Sequence, residues 1–217
     1  MINKNEVIQN IVITFVILVL ISFALMRTAM AEPHHEDIYG LWNTLNEFEE
    51  VSSLRSLLLE KDWINEDVPI DELDYILVLT RQCSEEFFPT VPTSLVLSMI
   101  SMESSFRKDL IGFSQDTGLM QIIPKYHQDR IEKYIYEENV DLYDPRLNVM
   151  VGMDYLEELI DWADGDIELA VMAYNMGPLR ARVLYLKGVK TSYAKNVLKR
   201  MDVIDTFLEG REWPCLS

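Results

Sequence analysis

The sequence predicts a mainly α-helical protein, with a helical domain preceded by an apolar segment at the N-terminus. Apolar residues recur at helical spacing through most of residues 33–208. No stretch keeps a persistent alternation of period two, so the prediction includes at most a small β-hairpin near residues 108–123. Proline, glycine and aspartate stand at the ends of the periodic segments, as expected at helix boundaries.

The first element is an apolar run at positions 11–26, interrupted only by Thr14 and Ser22. It is shorter than the about 20 residues of a typical transmembrane helix. The pattern Ala29-Met30-Ala31 follows it and resembles a signal peptidase site. We expect residues 1–31 to be a cleaved signal peptide or a retained membrane anchor, and the rest of the chain to act outside the cytoplasmic membrane.

Eight helices are predicted after this segment. The first two are separated by a break at residues 62–69, and Asp71 is a plausible N-cap of the second. Pro92 is expected in the first turn of the third helix, and Gly177-Pro178 is expected to end the sixth. The predicted ranges are 38–59, 71–88, 92–104, 126–137, 146–162, 167–175, 179–186 and 192–208.

Composition excludes some classes of function. The formal net charge is -17, from 19 lysines and arginines against 36 aspartates and glutamates, so we expect no nucleic-acid partner. The three histidines show no metal-ligand spacing, and the two cysteines, Cys83 and Cys215, lie far apart. We therefore expect no metal site and no cofactor. One disulfide and two separate thiols both fit the sequence.

Glu103 is the strongest candidate for chemistry. Val96, Ile100 and Glu103 follow one another at i, i+4 and i+7, so Glu103 continues the apolar stripe of its helix. A carboxyl group in apolar surroundings has a raised pKa, because burial disfavours its charged form. Such a group can hold a proton near neutral pH and deliver it as a general acid. A frayed helix end pointing to water is the alternative interpretation.

Three separated motifs resemble those of the lytic transglycosylases of the soluble-enzyme type, which share a goose-lysozyme-like fold. They are Glu103-Ser104-x-Phe106, Gly118-Leu119-Met120-Gln121-Ile122, and Ala173-Tyr174-Asn175 followed by Gly177-Pro178. Glu103 precedes Gly118 by fifteen positions, the interval expected for the family. Tyr193 resembles a further tyrosine that the family carries before its last helix. The resemblance covers about residues 72–208.

The resemblance implies the organisation of the chain. Residues 71–208 would form a lysozyme-like catalytic domain, preceded by a helical extension at 32–70 and followed by a tail at 209–217. Asn148 and Gly152 match a family pattern that we interpret as structural. The extension carries no motif that indicates a function.

The resemblance also implies a set of substrate-binding residues around Glu103. Met120 and Gln121 would line a sugar groove, and Tyr174 would place an aromatic ring and a hydroxyl near the acid. Half-buried packing for Tyr174 and helix capping for Asn175 are the alternatives to a binding role. Where the family commonly has a serine, this chain has Gly112, and Ser114 is the candidate replacement; Gln115-Asp116 also departs from the family pattern. The predicted binding residues are Ser114, Met120, Gln121, Tyr174, Asn175 and Tyr193.

The implied activity is cleavage of the bond between N-acetylmuramic acid and N-acetylglucosamine in peptidoglycan. Glu103 would act first as acid and then as base, and the product would be a 1,6-anhydro sugar. Two alternatives stay open: a hydrolytic muramidase in which Asp116 or Asp109 positions water, and a non-catalytic, anchored peptidoglycan-binding factor. The expected location is the periplasm or cell envelope. Expected partners are glycan strands, the membrane if the N-terminal segment is retained, and a cell-wall or secretion-complex protein.

Overall fold

The computed structural model describes residues 49–135 and 141–209. The predicted signal or anchor at residues 1–31, the start of the helical extension, Cys215 and most of the C-terminal tail lie outside these ranges. Within them, no helix combines the length and the apolar composition that crossing a membrane requires. Cys83 lies in the described part and is a buried free thiol.

The described chain is helical, as predicted. The first helix, α1, covers residues 49–60 of the described part. A short 3-10 helix covers Pro124–Tyr126. The remaining helices are α2 (Ile70–Glu86), α3 (Thr93–Glu103), α4 (Gln128–Tyr134), α5 (Pro145–Trp162), α6 (Ile167–Met176), α7 (Pro178–Leu186) and α8 (Ser192–Glu209).

Several predicted boundaries are corrected by the structure. Pro69, not Asp71, occupies the N-cap of α2, and Asp71 lies in its acidic first turn. Pro92 is likewise the N-cap of α3 instead of a first-turn residue. The helix predicted from residue 126 is two elements, because the backbone of His127 leaves the helical region between the 3-10 turn and α4.

Side-chain caps and one glycine determine where the later helices meet. Asp144 and Asp166 cap α5 and α6 by accepting hydrogen bonds from the backbone amides of Leu147 and Leu169, each at 2.9 Å. Gly177 ends α6 with a φ of 84°, a value that favours glycine, and α7 begins at the next residue. Gly177 is thus the single residue between α6 and α7.

Helix α3 lies in the centre of the core. Its residues from Ser94 to Ser101 are all buried, which explains why apolar side chains occur all around this helix. Helices α2 and α8 pack directly against it, while α6 packs against α5, α7 and α8. Glu103 is therefore the last residue of a helix whose position is fixed by its packing against α2 and α8.

Residues 104–123 form a loop without regular strands. Isolated antiparallel bridges join Thr117 to Ile111 and to Ile122. The small hairpin allowed by the sequence is thus reduced, in the described chain, to these bridges. This loop begins directly after Glu103 and contains the turn at Gly118.

Candidate active site

Glu103 is the last residue of α3, and the chain changes direction directly after it. Ser105 and Phe106 have positive φ values of 51° and 66°, which non-glycine residues rarely adopt. The side chain of Phe106 is fully buried, and the carbonyl of Ser105 accepts a hydrogen bond from the amide of Asn65 at 3.0 Å. Burial and this contact hold the unusual backbone, which leaves Glu103 half-buried at the helix end.

The carboxyl group of Glu103 accepts a hydrogen bond from the hydroxyl of Tyr193 on α8. Burial raises the pKa of Glu103 to about 7; the nearby charge of Asp116 adds to the rise, and the hydrogen bond from Tyr193 opposes it. Burial also holds the pKa of Tyr193 well above its ordinary value, so this hydroxyl stays a donor. The site thus contains one carboxyl group that can exchange a proton near neutral pH.

Asn148 holds the Gly118 turn in place. Its side-chain oxygen accepts from the amide of Met120, and its side-chain nitrogen donates to the carbonyls of Thr117 and Leu142, all at 2.8 Å. A Cβ atom at Gly118 would lie 2.1 Å from that nitrogen and 2.6 Å from the carbonyl oxygen of Leu142. Glycine is therefore required here by close approach as well as by its φ of 78°.

Met120 does not lie where the sequence analysis expects it. Its side chain is fully buried, and a Cβ at Gly152 would lie 2.3 Å from its sulfur. Met120 is therefore a core side chain, not a groove-lining one, because the missing side chain of Gly152 makes room for it inside. Its main chain reaches the site instead, since its carbonyl accepts from the hydroxyl of Tyr174 at 2.9 Å.

Gln121 is half-buried, with a φ of 51°. Its side-chain nitrogen donates to the carbonyls of Gly118 and Leu110 at 2.9 and 3.2 Å, so it helps to close the loop on which it lies. Leu119 is fully buried, as expected. The turn thus places one core side chain and one polar side chain next to each other.

Gly112 and Asp116, two of the departures from the family pattern, lie next to each other in the structure. A Cβ at Gly112 would lie 1.8 Å from a carboxylate oxygen of Asp116, so a side chain at 112 would force the Asp116 carboxylate to move. The other carboxylate oxygen accepts from the amide of Ser114 at 2.9 Å. Ser114 itself is exposed, and the structure shows its backbone, not its hydroxyl, in the loop's hydrogen bonding.

The remaining predicted residues lie on α6. Tyr174 is half-buried, and its ring packs against Tyr155 with centroids 5.3 Å apart. Burial raises the pKa of Tyr174 well above its ordinary value, and the nearby charge of Glu103 adds to the rise. Asn175 is exposed at the end of the helix. The structure therefore brings Glu103, Tyr174 and Tyr193 together, with Asn175 on the outer side of α6.

Sequence reasoning did not identify Arg200 and Trp63 as part of this region. Arg200 donates to the hydroxyl of Ser101 at 2.7 Å, two residues before Glu103. Its guanidinium group also lies over the ring of Trp63, 4.8 Å from the centroid. Arg200 lies seven positions after Tyr193 on the same helix, and that spacing is the signal that could have linked the two.

Asp109 and Asp116, the two candidates for positioning water, lie in different surroundings. Asp116 acts electrostatically on Glu103. Asp109 lines a surface pocket of about 530 Å³ together with Lys108 and Glu72, which form an ion pair at 3.1 Å. Among the described residues, no three histidine, cysteine, aspartate or glutamate side chains are grouped so that they could hold a metal ion.

Comparison with known proteins matches the part of the chain that contains Glu103, Tyr174 and Tyr193. Residues 85–196 match the model of the transglycosylase SLT domain. The chain is 33% identical over 126 residues to invasion protein IagB of Salmonella typhi, covering 54% of this chain and 76% of that protein. IagB of Salmonella typhimurium strain SL1344 is 32% identical over 120 residues, 52% of this chain and 73% of that protein.

Solved structures show the fold. The chain superimposes with a TM-score of 0.53 on the 70 kDa soluble lytic transglycosylase of Escherichia coli, at 22% identity over 79% of this chain and 30% of that one. An inactive mutant of the lytic transglycosylase Slt of Pseudomonas aeruginosa gives 0.52, at 23% identity over 62% and 24%. The matched part is thus under a third of each of these longer chains. The superpositions confirm the predicted helical fold.

Proposed function

Because this chain belongs to the transglycosylase SLT domain family, as a soluble-type lytic transglycosylase of the lysozyme-like superfamily, we propose that it cleaves the glycan strands of peptidoglycan with Glu103 as its catalytic residue. The bond cleaved is the β-1,4 bond between N-acetylmuramic acid and N-acetylglucosamine, and the product carries a 1,6-anhydro ring. One observation carries the proposal. Glu103, the last residue of the buried helix α3, has a pKa of about 7 and accepts a hydrogen bond from the hydroxyl of Tyr193.

In the first step Glu103 is protonated and donates its proton to the glycosidic oxygen. A general acid is most effective when its pKa lies near the working pH, and such proton transfer contributes about 10²–10⁴-fold to a rate. The bond from C1 of the muramic acid to that oxygen breaks. The carbonyl oxygen of the sugar's own acetamido group bonds to C1 and takes up the positive charge, so a second protein carboxylate is not needed.

In the second step Glu103 is a carboxylate and accepts the proton of the C6 hydroxyl. The C6 oxygen then bonds to C1 and displaces the acetamido oxygen, which closes the anhydro ring and returns Glu103 to its protonated form. Tyr193 donates to Oε1 and so favours the charged form that the first step leaves behind. Tyr174, near Glu103, would contribute its ring to the sugar site.

Hydrolysis by a water molecule is the second candidate, and one observation favours Asp116 over Asp109 for it. Asp116 lies close enough to Glu103 to raise its pKa, whereas Asp109 belongs to the pocket with Lys108 and Glu72. A carboxylate that positions water on C1 would give a reducing sugar. The two reactions therefore differ by one water molecule in the mass of the product.

The test is digestion of purified peptidoglycan by the chain, with mass spectrometry of the released muropeptides. Anhydro products from the wild type, and none from Glu103→Gln, are expected. Glu86→Gln, an exposed glutamate at the end of α2, is the matched control and should keep full activity. Reducing products that disappear in Asp116→Asn would establish the hydrolase instead. An active Glu103→Gln variant would exclude Glu103 as the catalytic residue of either reaction. A wild-type chain that binds peptidoglycan but releases no muropeptides would instead support the non-catalytic binding protein.

The place of action follows from the same proposal. We propose that residues 71–208 form the catalytic domain and that the chain works in the periplasm or cell envelope, where glycan strands are found. The relatives in Salmonella are named invasion proteins, and a cell-wall or secretion-complex protein is a proposed partner of this chain. Fractionation of cells that express the full chain would test the location, and recovery in the cytoplasm alone would contradict it.

A further inference from the structure

The acidic net charge conceals a basic region. Between Glu168 and Asp202 the chain has no acidic residue, although it carries 36 of them in total. Seven of its 19 basic residues fall in this interval: Arg180, Arg182, Lys187, Lys190, Lys195, Lys199 and Arg200. The interval includes α7, the loop after it and the first half of α8, so the basic residues are concentrated in one segment of the chain.

Helix α7 exposes an apolar stripe within this basic region. Leu179, Val183 and Leu186 are 87%, 52% and 78% exposed. At about 100° per residue they fall within about 60° of one another around the helix axis. Ala181, on the opposite side, is fully buried and faces the core. Packing within the described chain therefore accounts for the Ala181 face and leaves the leucine stripe toward solvent.

Cations border this stripe. Arg180 and Lys187 lie on one side of it, about 80–100° around the axis from Leu179, and both are exposed. Arg182, on the other side, is engaged with Trp162, over whose ring its guanidinium lies at 4.3 Å. Lys190 forms an ion pair with Glu168 at 2.6 Å. Arg180 and Lys187 are thus the cations nearest the stripe for which the structure shows no such internal contact.

We propose that α7 is a membrane-contact surface that binds an anionic lipid bilayer. Exposed leucines with an arginine and a lysine beside them suit the interface of such a bilayer, with the leucines among acyl chains and the cations at the phosphates. A polyanionic glycan would explain the cations but not the leucines. Anionic lipid repels the net charge of -17 of the whole chain, so contact is expected only where Arg180 and Lys187 face the bilayer.

This surface adjoins the candidate active site. Helix α6, which carries Tyr174, leads directly into α7 through Gly177, and α8, which carries Tyr193, follows after a short loop. Contact through α7 would hold the catalytic site next to the bilayer. The inference goes beyond the proposed function, and it does not depend on Glu103 being catalytic.

The experiment is lysine footprinting of the full chain by acetylation and mass spectrometry. The chain is mixed with vesicles of phosphatidylcholine alone or with phosphatidylglycerol added at about one third. The acetylation rate of Lys187 is expected to fall at least threefold with the anionic vesicles only. Lys125, an exposed lysine on the 3-10 turn, is the internal reference and should not change. A local readout separates α7 from any other segment that associates with lipid.

Two variants make the test decisive. Leu179→Gln combined with Leu186→Gln removes the two most exposed side chains of the stripe without changing charge, and it should abolish the shielding of Lys187. Both side chains are exposed, so folding is preserved. Glu103→Gln should leave the shielding intact. The inference is overturned by an unchanged Lys187 rate, by equal shielding with neutral vesicles, or by shielding that needs peptidoglycan fragments instead of lipid.

Discussion

The hydroxyl of Tyr193 donates a hydrogen bond to Oε1 of Glu103, although 90 positions separate the two residues. The contact joins the end of α3 to the first turn of α8. Burial and the charge of Asp116 raise the pKa of Glu103 and this bond lowers it, so the value of about 7 is a balance of opposing effects. Each effect can be changed separately by mutation.

Replacement of Tyr193 by phenylalanine should raise the pKa of Glu103 further, because the bond that favours the carboxylate is lost. The first step needs protonated Glu103, so activity should fall as pH rises through this pKa. In Tyr193→Phe that decline should move to higher pH, and the maximal rate should drop about 10–100-fold because the carboxylate form is less stable. Solubilisation of peptidoglycan measured from pH 5 to 9 tests this.

Tyr134→Phe is the control for this experiment. Tyr134 donates to Asp154 at 2.7 Å, so the variant removes a tyrosine–carboxylate bond away from the site. Its pH profile should match that of the wild type. An unshifted profile in Tyr193→Phe would mean that Glu103 is not the group that limits the rate at high pH.

Replacement of Glu103 by glutamine should stabilise the protein at alkaline pH. The folded-state pKa is raised above the unfolded value, so the folded state loses stability as pH rises from about 4.5 to 7 and stays at that lower level above it. An uncharged side chain removes this loss, which should raise the free energy of unfolding by about 1–3 kcal/mol at pH 8. At pH 4 the two proteins should unfold at similar urea concentrations, and a constant difference across pH would contradict the assignment.

Arg200 should act as a positioning residue for the Glu103–Tyr193 pair. It binds the hydroxyl of Ser101 on α3 from the helix that carries Tyr193, so it fixes how the two helices lie against each other. Arg200→Ala should lower kcat about tenfold with little change in KM and destabilise the fold by about 1–3 kcal/mol. A double-mutant cycle with Ser101→Ala should give a coupling energy of about 1 kcal/mol or more. Additive effects would show that the contact is not used.

Replacement of Gly118 by alanine should be far more costly than the same change at Gly165. Both have positive φ values, 78° and 84°, and so carry a similar backbone cost of about 1 kcal/mol. A Cβ at Gly118 meets Asn148 and the backbone of Leu142, whereas one at Gly165 meets nothing within 4 Å. Thermal unfolding should show a loss of about 3 kcal/mol or more for Gly118→Ala and about 1 for Gly165→Ala. Equal losses would mean that the turn relaxes around the added methyl group.

Helical periodicity predicted the elements of the fold because it depends on neighbours three and four residues apart. The same local rule placed Glu103 on the stripe of Val96 and Ile100, and it therefore predicted a raised pKa that the structure confirms. Helix starts were less predictable. Pro69 took the place expected for Asp71, since a proline and a capping aspartate both suit a helix start and the choice depends on what the turn packs against.

The turn at Gly118 shows where local rules end. Met120 and Gln121 are adjacent and both were expected in the groove. Gly152, 32 positions away, has no side chain, and the side chain of Met120 occupies that space in the core. The contact between Gly112 and Asp116 could not be predicted from the sequence either. The path of the loop places a carboxylate oxygen of Asp116 only 1.8 Å from where a Cβ of residue 112 would lie.

By itself, the sequence determined the helical class, the family motifs and the candidate acid, because each depends on residue type and on short spacing along the chain. Only the tertiary structure decided which side chains meet that acid. Tyr193 reaches Glu103 because α8 packs on α3, and Arg200 holds the two helices in that position. Such contacts depend on packing between distant segments, and no spacing rule encodes them.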